Sequence, residues 1–284
     1  MTMNKFKIVG KFWDENLCGK HFIREKFLSE KFFGVYRQFR YKKEHHLNSI
    51  IEWHYAKGKN VLEIGVGLGA DATRWAEYAK NFIGIDLSFE STKASKLHLE
   101  FLGLKGLILQ SNVEFVPFHD NEFDIIYSHG VLHHTPDIRK ALEEINRILK
   151  NDGILILMLY TKNSFNYWIR IQLLFRILFM FQLSKYKLGL NQSSLWKIHI
   201  FNYYKYGRSY LSWEEWPHHC TDGPDCEIAN IYYKNEIKKL LKESNFVIKK
   251  MKKAHFPLGG RFPNFEFFLA RYLGFYQFIW ATKR

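Results

Sequence analysis

Short apolar runs alternate with helix-like stretches along the middle of the chain, between residues 59 and 160. Each run is rich in Val, Ile, Leu or Phe and is bounded by polar or glycine residues, as buried strands are. The runs lie at Val61–Ile64, Phe82–Asp86, Gly106–Leu109, Phe123–Ser128 and Ile154–Tyr160, with helical spacing at Thr73–Ala79, Phe89–Phe101 and Ala141–Lys150. This alternation predicts an α/β, doubly wound fold whose mostly parallel sheet is covered on both faces.

The flanking residues extend this pattern at both ends. Residues 1–58 are dense in aromatic and arginine side chains and predict an N-terminal cap region, with a turn at Phe12–Gly19 and a helix at Glu44–Ala56. The C-terminal part predicts helices at Asn235–Ser244 and Pro263–Leu273 and strands at Phe246–Met251 and Tyr276–Thr282. These strands bring the sheet to seven, so we expect one domain over residues 59–284 and no separate C-terminal domain.

Residues 161–233 interrupt the alternation and predict a helical insertion after the fifth strand. Within them, Phe165–Leu183 has helical spacing but is apolar nearly all round. Such a helix is usually buried, which would make the insertion a cover over a substrate pocket. The alternative is a helix that lies in a membrane interface, with Arg170, Arg176 and Trp168 as anchors.

The charge balance is strongly basic. The 284-residue chain has a formal net charge of +14 and 47% hydrophobic residues, enough for a real core. A basic balance favours acidic partners such as nucleic acid or an anionic membrane. The charge is scattered, however, apart from Lys249–Lys253, and no nucleic-acid-binding module or basic tail is recognisable. We therefore expect no nucleic-acid partner.

Cysteine content and hydropathy indicate a cytoplasmic protein. The chain has three cysteines, Cys18, Cys220 and Cys226, and this low, odd number argues against a disulfide scaffold. The first residues, Met1–Phe6, lack a signal-peptide hydrophobic region. No run of about 18 uncharged apolar residues is present, so a membrane-spanning helix is not expected.

Three closely spaced glycines follow the first predicted strand: Gly65, Gly67 and Gly69. Glycine allows a ligand to approach the backbone, and the following helix offers free N–H groups at its N-terminus. Gly65-x-Gly67-x-x-Ala70 fits the relaxed dinucleotide fingerprint, with Asp86 at the spacing of a ribose-binding acid. The same residues fit an S-adenosylmethionine turn, so the glycines alone leave both ligands open.

The residues downstream favour the second ligand. The turn Ser128-His-Gly-Val-Leu-His-His134, the helix Ala141–Lys150 and the strand Ile154–Tyr160 follow in order. This succession resembles the class I S-adenosylmethionine-dependent methyltransferases, of the small-molecule type that includes the quinone-ring methylases. The resemblance covers residues 58–163 closely. It departs from the family at Asn112, where Asp is usual, and at Asn151-Asp-Gly153, a turn where Pro-Gly-Gly is usual.

The resemblance implies a cofactor, S-adenosyl-L-methionine, and roles for individual residues. Its methionine part would lie along Glu63 and the three glycines, while Asp86 would hold the ribose hydroxyls. The predicted adenine and nearby contacts are Leu87, Asn112, Val113, Ser128 and His129. Tyr36, Arg40 and Tyr41 of the cap would close on the methionine end, with the arginine pairing its carboxylate; the alternative is that these aromatic side chains only pack at the surface. The implied activity is methyl transfer to a small-molecule acceptor, aromatic, quinol-like or lipid-like. The alternatives are a catalytically silent cofactor-binding protein or a nucleic-acid methyltransferase.

Three histidines in the turn after the fourth strand are the candidates for acid–base chemistry. Histidine titrates near neutrality and can take a proton from a hydroxyl or phenol. His134 is the first candidate for a general base, and His129 the second; His133 lies between them in the turn. The competing interpretation is that His134 braces the turn by hydrogen bonding to the backbone.

A second unusual stretch, His218-His-Cys-Thr-Asp-Gly-Pro-Asp-Cys226, carries residue types that bind zinc. No second Cys/His pair lies near it in the sequence, and Asp-Gly-Pro is typical of turns. We therefore predict a structural or substrate-facing loop here and no metal site.

Overall fold

A seven-stranded sheet forms the centre of the computed structural model, which describes residues 2–257 and 263–284. The strands are β1 (Asn60–Ile64), β2 (Asn81–Asp86), β3 (Leu107–Gln110), β4 (Phe123–His129), β5 (Leu149–Tyr160), β6 (Phe246–Ala254) and β7 (Tyr276–Lys283). Their order is β3-β2-β1-β4-β5-β7-β6, and β7 alone runs antiparallel to its neighbours. The α/β, doubly wound, mostly parallel sheet predicted from the sequence is confirmed. The strand order reverses between β1 and β4, which opens a crevice at their carboxyl ends.

Helices cover both faces of the sheet. They are α1 (Thr2–Glu15), α2 (Glu30–Lys43), α3 (Leu47–Ile50), α4 (Ala70–Tyr78), α5 (Phe89–Phe101), α6 (Ile138–Ile148), α7 (Phe175–Lys187), α8 (Ser194–Tyr206), α9 (Glu215–Thr221), α10 (Lys234–Glu243) and α11 (Pro263–Leu273). Three core clusters result, and the smallest joins Phe32 and Phe33 of α2 to Ala94 of α5. The other two are larger. One contains Trp75 of α4, Leu99 of α5 and Phe179 of α7; the other contains residues of α6 and α10.

The period-2 alternation of β5 explains how one strand serves both of the larger clusters. Leu155, Leu157 and Leu159 lie in the α6/α10 cluster, whereas Ile156 and Met158 lie in the other. Successive side chains of a strand point to opposite faces. A strand that is covered on both sides therefore reads as a continuous apolar run.

The N-terminal region differs from the predicted pattern in two places. Phe12–Glu15, expected to be turn-like, ends helix α1. The single helix predicted for Glu44–Ala56 is wrong: only α3 and a 3₁₀ turn at Trp53–Ala56 are helical. Extended backbone at Ile51 separates them and lets the buried Trp53 ring pack on Trp75 at 4.8 Å between centroids. Tertiary packing of one large side chain thus overrides local helical spacing.

The turn predicted at Asn151–Gly153 is also wrong, because β5 runs through it. The register with β4 passes from Phe123↔Leu149 to Ile125↔Ile154, so extra residues bulge from the strand. A bulge of this kind leaves the strand continuous while its extra residues lack partners. The bulge is distant from the crevice and affects only the opposite end of the strands.

The insertion is helical, but its long helix is not buried all round. A π-helical stretch, Asn166–Leu174, continues directly into α7. Ile171, Phe179 and Leu183 are buried, while many apolar neighbours, among them Ile177 and Phe181, are exposed. The expectation of a fully buried helix is therefore wrong. In the part of the chain that the structure describes, no helix is long and apolar enough to cross a membrane.

The glycine turn after β1 is locked by contact with the turn after β4. Gly65 has a φ of +82°, and a Cβ placed there would lie 2.0 Å from Cγ2 of Val131. Gly67 also has positive φ, +52°, but a Cβ there would meet no described atom within 4 Å. Substitutions at Gly65 and Gly67 therefore distinguish the free-energy cost of left-handed backbone from the cost of steric overlap.

Replacement of Gly65 is therefore expected to cost more than replacement of Gly67. Gly67→Ala places a Cβ in left-handed backbone, which costs about 1–2 kcal/mol. Gly65→Ala adds overlap with Val131, for a total loss of about 2–5 kcal/mol. Urea unfolding measures both. Equal losses for the two variants would contradict the packing of β1 against the β4 turn.

Candidate functional site

A cavity lies at the carboxyl ends of β1, β2, β4 and β5, at the point where the strand order reverses. Ten of the residues predicted from the sequence line it: Tyr36, Arg40, Gly65, Gly67, Asp86, Leu87, Asn112, Val113, His129 and His134. Five others, Tyr41, Glu63, Gly69, Ser128 and His133, are not among the lining residues. Their predicted roles at the site stay predictions.

Asp86 ends β2 and is held by the backbone on both sides. Its Oδ2 accepts from the Gly67 N–H at 3.0 Å, and its Oδ1 accepts from the Ser88 N–H at 2.9 Å. Each oxygen keeps a second lone pair for a ligand hydroxyl. Burial raises the pKa of Asp86 to about 6, against the lowering effect of these two N–H groups. The carboxylate is thus positioned and only weakly solvated before any ligand arrives.

Helix α1 reaches this part of the site through Asp14. Its Oδ1 accepts from the Ser88 hydroxyl at 2.7 Å and from the Glu90 N–H at 3.1 Å. Ser88 is the N-cap of α5, with its hydroxyl accepting from the Ser91 N–H. The cap region is therefore joined to the turn after β2 by hydrogen bonds as well as by apolar contact.

Asn112 lies on the cavity wall and closes its own turn. Its Oδ1 accepts from the Glu114 N–H at 3.0 Å, which fixes the side chain. One lone pair on that oxygen remains for a ligand donor. Asn112 therefore provides a hydrogen-bond acceptor where Asp is usual, but the side chain carries no charge.

Arg40 of α2 is the buried cation of the site. Its guanidinium donates to Asp71 at 2.9 Å, to Glu44 at 2.7 Å and to Nδ1 of His129 at 3.1 Å. Asp71 also accepts from the Tyr127 hydroxyl at 3.0 Å and from the Tyr41 hydroxyl at 3.1 Å. Burial would raise the pKa of Asp71, but the charge of Arg40 and these hydrogen bonds outweigh it and lower the pKa.

Beside Arg40, the ligand atoms of Glu44, His46 and His129 lie within 4.8 Å of one another, a spacing that could suit a metal ion. Arginine can only donate, so Nδ1 of His129 must accept, and the ring proton sits on Nε2. Burial, followed by the charge of Arg40, lowers the pKa of His129 to about 3, which keeps the ring neutral. Nε2–H therefore faces Oε2 of Glu44 at 3.3 Å, but neither atom makes a hydrogen bond among the described residues, and Nε2 of His46 also lacks one.

Glu63 lies in β1 behind the cavity wall. It is buried, and burial together with the nearby Asp71 charge raises its pKa well above the usual range. A buried carboxyl with a raised pKa is held neutral, which lowers the cost of placing it beside Asp71.

The other part of the cavity is built around His134. Its Nδ1 lies 2.5 Å from the carbonyl oxygen of Ile228, so this nitrogen carries the ring proton. Its Nε2 lies 3.6 Å from Oδ2 of Asp222, which comes from the insertion. The other oxygen of Asp222 accepts from the Tyr160 hydroxyl at 3.3 Å. The ring of Trp13, from α1, meets the His134 ring edge-on at 5.0 Å.

Nε2 of His134 and Oδ2 of Asp222 are both buried and lack a hydrogen-bond partner among the described residues. With the ring proton on Nδ1, a lone pair on nitrogen faces a carboxylate oxygen. One additional proton would satisfy both atoms at once. The pair is therefore arranged to receive a proton from whatever occupies this part of the cavity.

The loop predicted at residues 218–226 is wrong in its first half, because His218 to Thr221 belong to α9. Both histidines of this stretch are engaged with the backbone. His218 accepts from the Ala229 N–H at 3.0 Å, and the His219 ring donates to the Pro224 carbonyl at 2.8 Å. His133 is buried beside Tyr160, and burial lowers its pKa well below the usual range. Asp222 was not among the predicted site residues, because an Asp-Gly-Pro turn carries no sequence signal for the histidine that it contacts.

Part of the chain matches a known protein family. Residues 62–157, about a third of the chain, match the family model described as the methyltransferase domain. The uncharacterized methyltransferase YcgJ of Bacillus subtilis is 35% identical over 99 residues, 34% of this chain and 39% of its own. The ubiquinone biosynthesis O-methyltransferase of Actinobacillus pleuropneumoniae is 33% identical over 103 residues, 34% of this chain and 44% of its own. The chain spans less than half the length of these curated relatives.

Solved structures share the fold over more of the chain. A SAM-dependent methyltransferase from Thermotoga maritima has a TM-score of 0.54 at 17% identity, covering 99% of this chain and 100% of its own. The structure of YcgJ has a TM-score of 0.52 at 18% identity, covering 84% of this chain and 98% of its own. Residues 62–157 thus match a methyltransferase domain, and the chain has the fold of the class I S-adenosylmethionine-dependent methyltransferases.

Proposed function

We propose that the protein is an S-adenosylmethionine-dependent methyltransferase acting on a small-molecule acceptor. The observation that carries this proposal is a single cavity with two chemically different parts. Gly65, Gly67 and Asp86 line the first, and His134 and Asp222 line the second. A cofactor and an acceptor held in one cavity can react without diffusing apart.

The residues of the first part suit S-adenosylmethionine. Asp86 offers two oriented oxygens for ribose hydroxyls, and the open space at Gly67 allows close approach to the backbone. Leu87 and Asn112 would lie at the adenine, the latter through its remaining lone pair. When bound, the cofactor supplies an electrophilic sulfonium methyl group, so the protein has to position the acceptor and exclude water.

The second part suits an acceptor that loses a proton as it reacts. A hydroxyl or phenol there would donate to Nε2 of His134, while the Nδ1–H···O=C bond to Ile228 holds the ring. Asp222 would stabilise the imidazolium that results, because a carboxylate 3.6 Å away favours the charged ring. His129 is less suited to this role, since Arg40 occupies its Nδ1 and its pKa is lowered to about 3.

The aromatic side chains around this part favour a flat or apolar acceptor. Trp13, Tyr160 and Tyr276 line the cavity together with Cys18. Aromatic walls suit ring-shaped and lipid-like molecules.

Incubating cell extract with the protein and deuterated cofactor, followed by mass spectrometry, would identify the metabolite that gains the heavy methyl group. Failure of any molecule to gain it would instead support a catalytically silent binder.

Asp86 should make cofactor binding dependent on pH. Ligand hydroxyls donate to the ionised carboxylate, and protonation of a group with a pKa of about 6 competes with binding. Affinity for S-adenosylhomocysteine should be level above about pH 7 and fall below about pH 6, approaching roughly tenfold per pH unit.

Calorimetry across pH 5 to 8 measures this dependence. Asp86→Asn should bind roughly tenfold or more weakly at neutral pH, since each lost bond to a charged acceptor is worth about 1.5–3 kcal/mol, and should lose the acidic decline. Asp152→Asn, at an exposed position in the β5 bulge, is the control and should behave as the wild type. An acidic decline that persists in Asp86→Asn would assign it to another group.

His134→Ala should lower turnover while cofactor affinity is kept. A general base contributes roughly 10²–10⁴ in rate, so the loss should fall in that range once an acceptor is known. Asp222→Asn should lower turnover less, because Nε2 of His134 remains available. Steady-state kinetics with S-adenosylhomocysteine titrations separate the two effects. His119→Ala, at an exposed histidine, serves as the control. Near-normal turnover of His134→Ala from pH 6 to 9 would rule out the base and leave positioning alone.

A further inference from the structure

The outward side of the insertion is apolar over several elements. Six of its large side chains are among the most exposed in the described residues: Ile177, Phe181, Leu188, Phe201, Tyr204 and Trp213. Leu188 is 77% exposed, Phe201 65% and Phe181 60%. We call the exposed side chains between residues 168 and 213 the outer face. Large apolar patches of this kind mark surfaces that bind something.

The outer face is continuous across the helices that form it. The rings of Tyr186 in α7 and Tyr204 in α8 lie 6.2 Å apart, and those of Trp168 and Trp213 lie 6.1 Å apart. The inner sides of the same helices pack into the core through Phe179 and Ile200. The helices are therefore held mainly by their inner sides, which leaves most of the surface of the outer face exposed to solvent.

The charge along the outer face is mainly positive, although the exposed Glu214 and Glu215 follow directly after its last residue. Residues 153–213 contain eight Lys and Arg residues and no Asp or Glu. Exposed basic residues flank the apolar ones, at positions Arg170, Lys187, Lys197, Lys205 and Arg208. Within residues 2–257 and 263–284, these five have no ion-pair partner closer than 4 Å. A second copy of the chain would bring two positive faces together, which disfavours self-association through this surface.

We propose that the outer face docks on the surface of an anionic lipid bilayer. Its apolar side chains would enter the boundary between headgroups and acyl chains, and its lysines and arginines would meet the anionic headgroups. Its exposed tryptophan and tyrosine rings are side chains that favour this boundary. The helices that carry the outer face lie on the bilayer and do not cross it, since no described helix is long and apolar enough to do so.

Flotation of the full chain with vesicles tests this proposal. Vesicles of phosphatidylcholine with phosphatidylserine should carry the protein upward at low salt, whereas pure phosphatidylcholine vesicles should carry much less. Added salt should weaken the association, because it screens charges at the membrane surface. Hydrogen exchange with the anionic vesicles present should show new protection confined to residues 168–213. Equal binding to both vesicles, or none to either, would overturn the proposal.

Paired variants separate the apolar part from the charged part. Phe181→Glu with Phe201→Glu should reduce the partition coefficient at least tenfold, since both rings lose their apolar contact. Lys187→Gln with Lys197→Gln should reduce it roughly 25-fold, about fivefold for each charge. All four side chains are exposed to solvent. Thermal unfolding of the variants checks that the fold is kept.

Matched variants elsewhere on the surface provide the controls. Phe115 is 58% exposed, close to the exposure of Phe181, and lies far along the chain from the insertion. Phe115→Glu, and Lys93→Gln with Lys96→Gln on α5, should leave partitioning unchanged. Losses of similar size in these controls would show that net charge and not the outer face is responsible. A dimer that dissociates in the Phe181/Phe201 variant without a change in flotation would assign the face to self-association and overturn the proposal.

Discussion

The buried ion pair between Arg40 and Asp71 is the interaction on which the arrangement of the site depends. Asp71 stands in the first turn of α4, directly after the glycine turn, and Arg40 belongs to the cap region. Through Arg40, helix α2 is tied to α4, to Glu44 and to the turn after β4 at His129. A buried charge that loses its partner costs several kcal/mol, so these elements are held in one relative position.

The ion pair between Arg40 and Asp71 also explains why polar side chains surround it. A buried carboxylate needs its remaining lone pairs satisfied, and the hydroxyls of Tyr41 and Tyr127 do this for Asp71. Desolvation of these phenols and their proximity to Asp71 raise the pKa of both tyrosines, so they remain donors. At the wall between sheet and cap, Asp71 is thus surrounded by three donors, Arg40, Tyr41 and Tyr127. The part of the cavity around His134 has the opposite character, because it lacks a proton between two acceptors.

The sequence predicted the sheet well because its signal is local. The inner strands β1, β4 and β5 are largely buried and read as apolar runs, and the glycines after β1 and the acid at the end of β2 mark the carboxyl ends where the cavity forms. The cap was predicted less well, since the backbone at Ile51 follows the packing of Trp53 and not its own spacing. The partner of His134 was missed because Asp222 is separated from it by the whole of β5 and most of the insertion. The long helix was expected to be buried because an apolar sequence does not reveal whether its outer side meets protein or something else.

The position of β7 in the sheet has a consequence for how the chain is synthesised. β7 lies between β5 and β6 and is the partner of both, yet it follows β5 only after the insertion, α10, β6 and α11. When β5 has emerged from the ribosome, its outer edge therefore stays unpaired until residues 276–283 are made. An open apolar strand edge is a template for wrong pairing with other chains. The nascent protein thus passes through a stage in which five strands and an exposed apolar helix are present without the strand that closes the sheet, and this stage is where dependence on chaperones should be greatest.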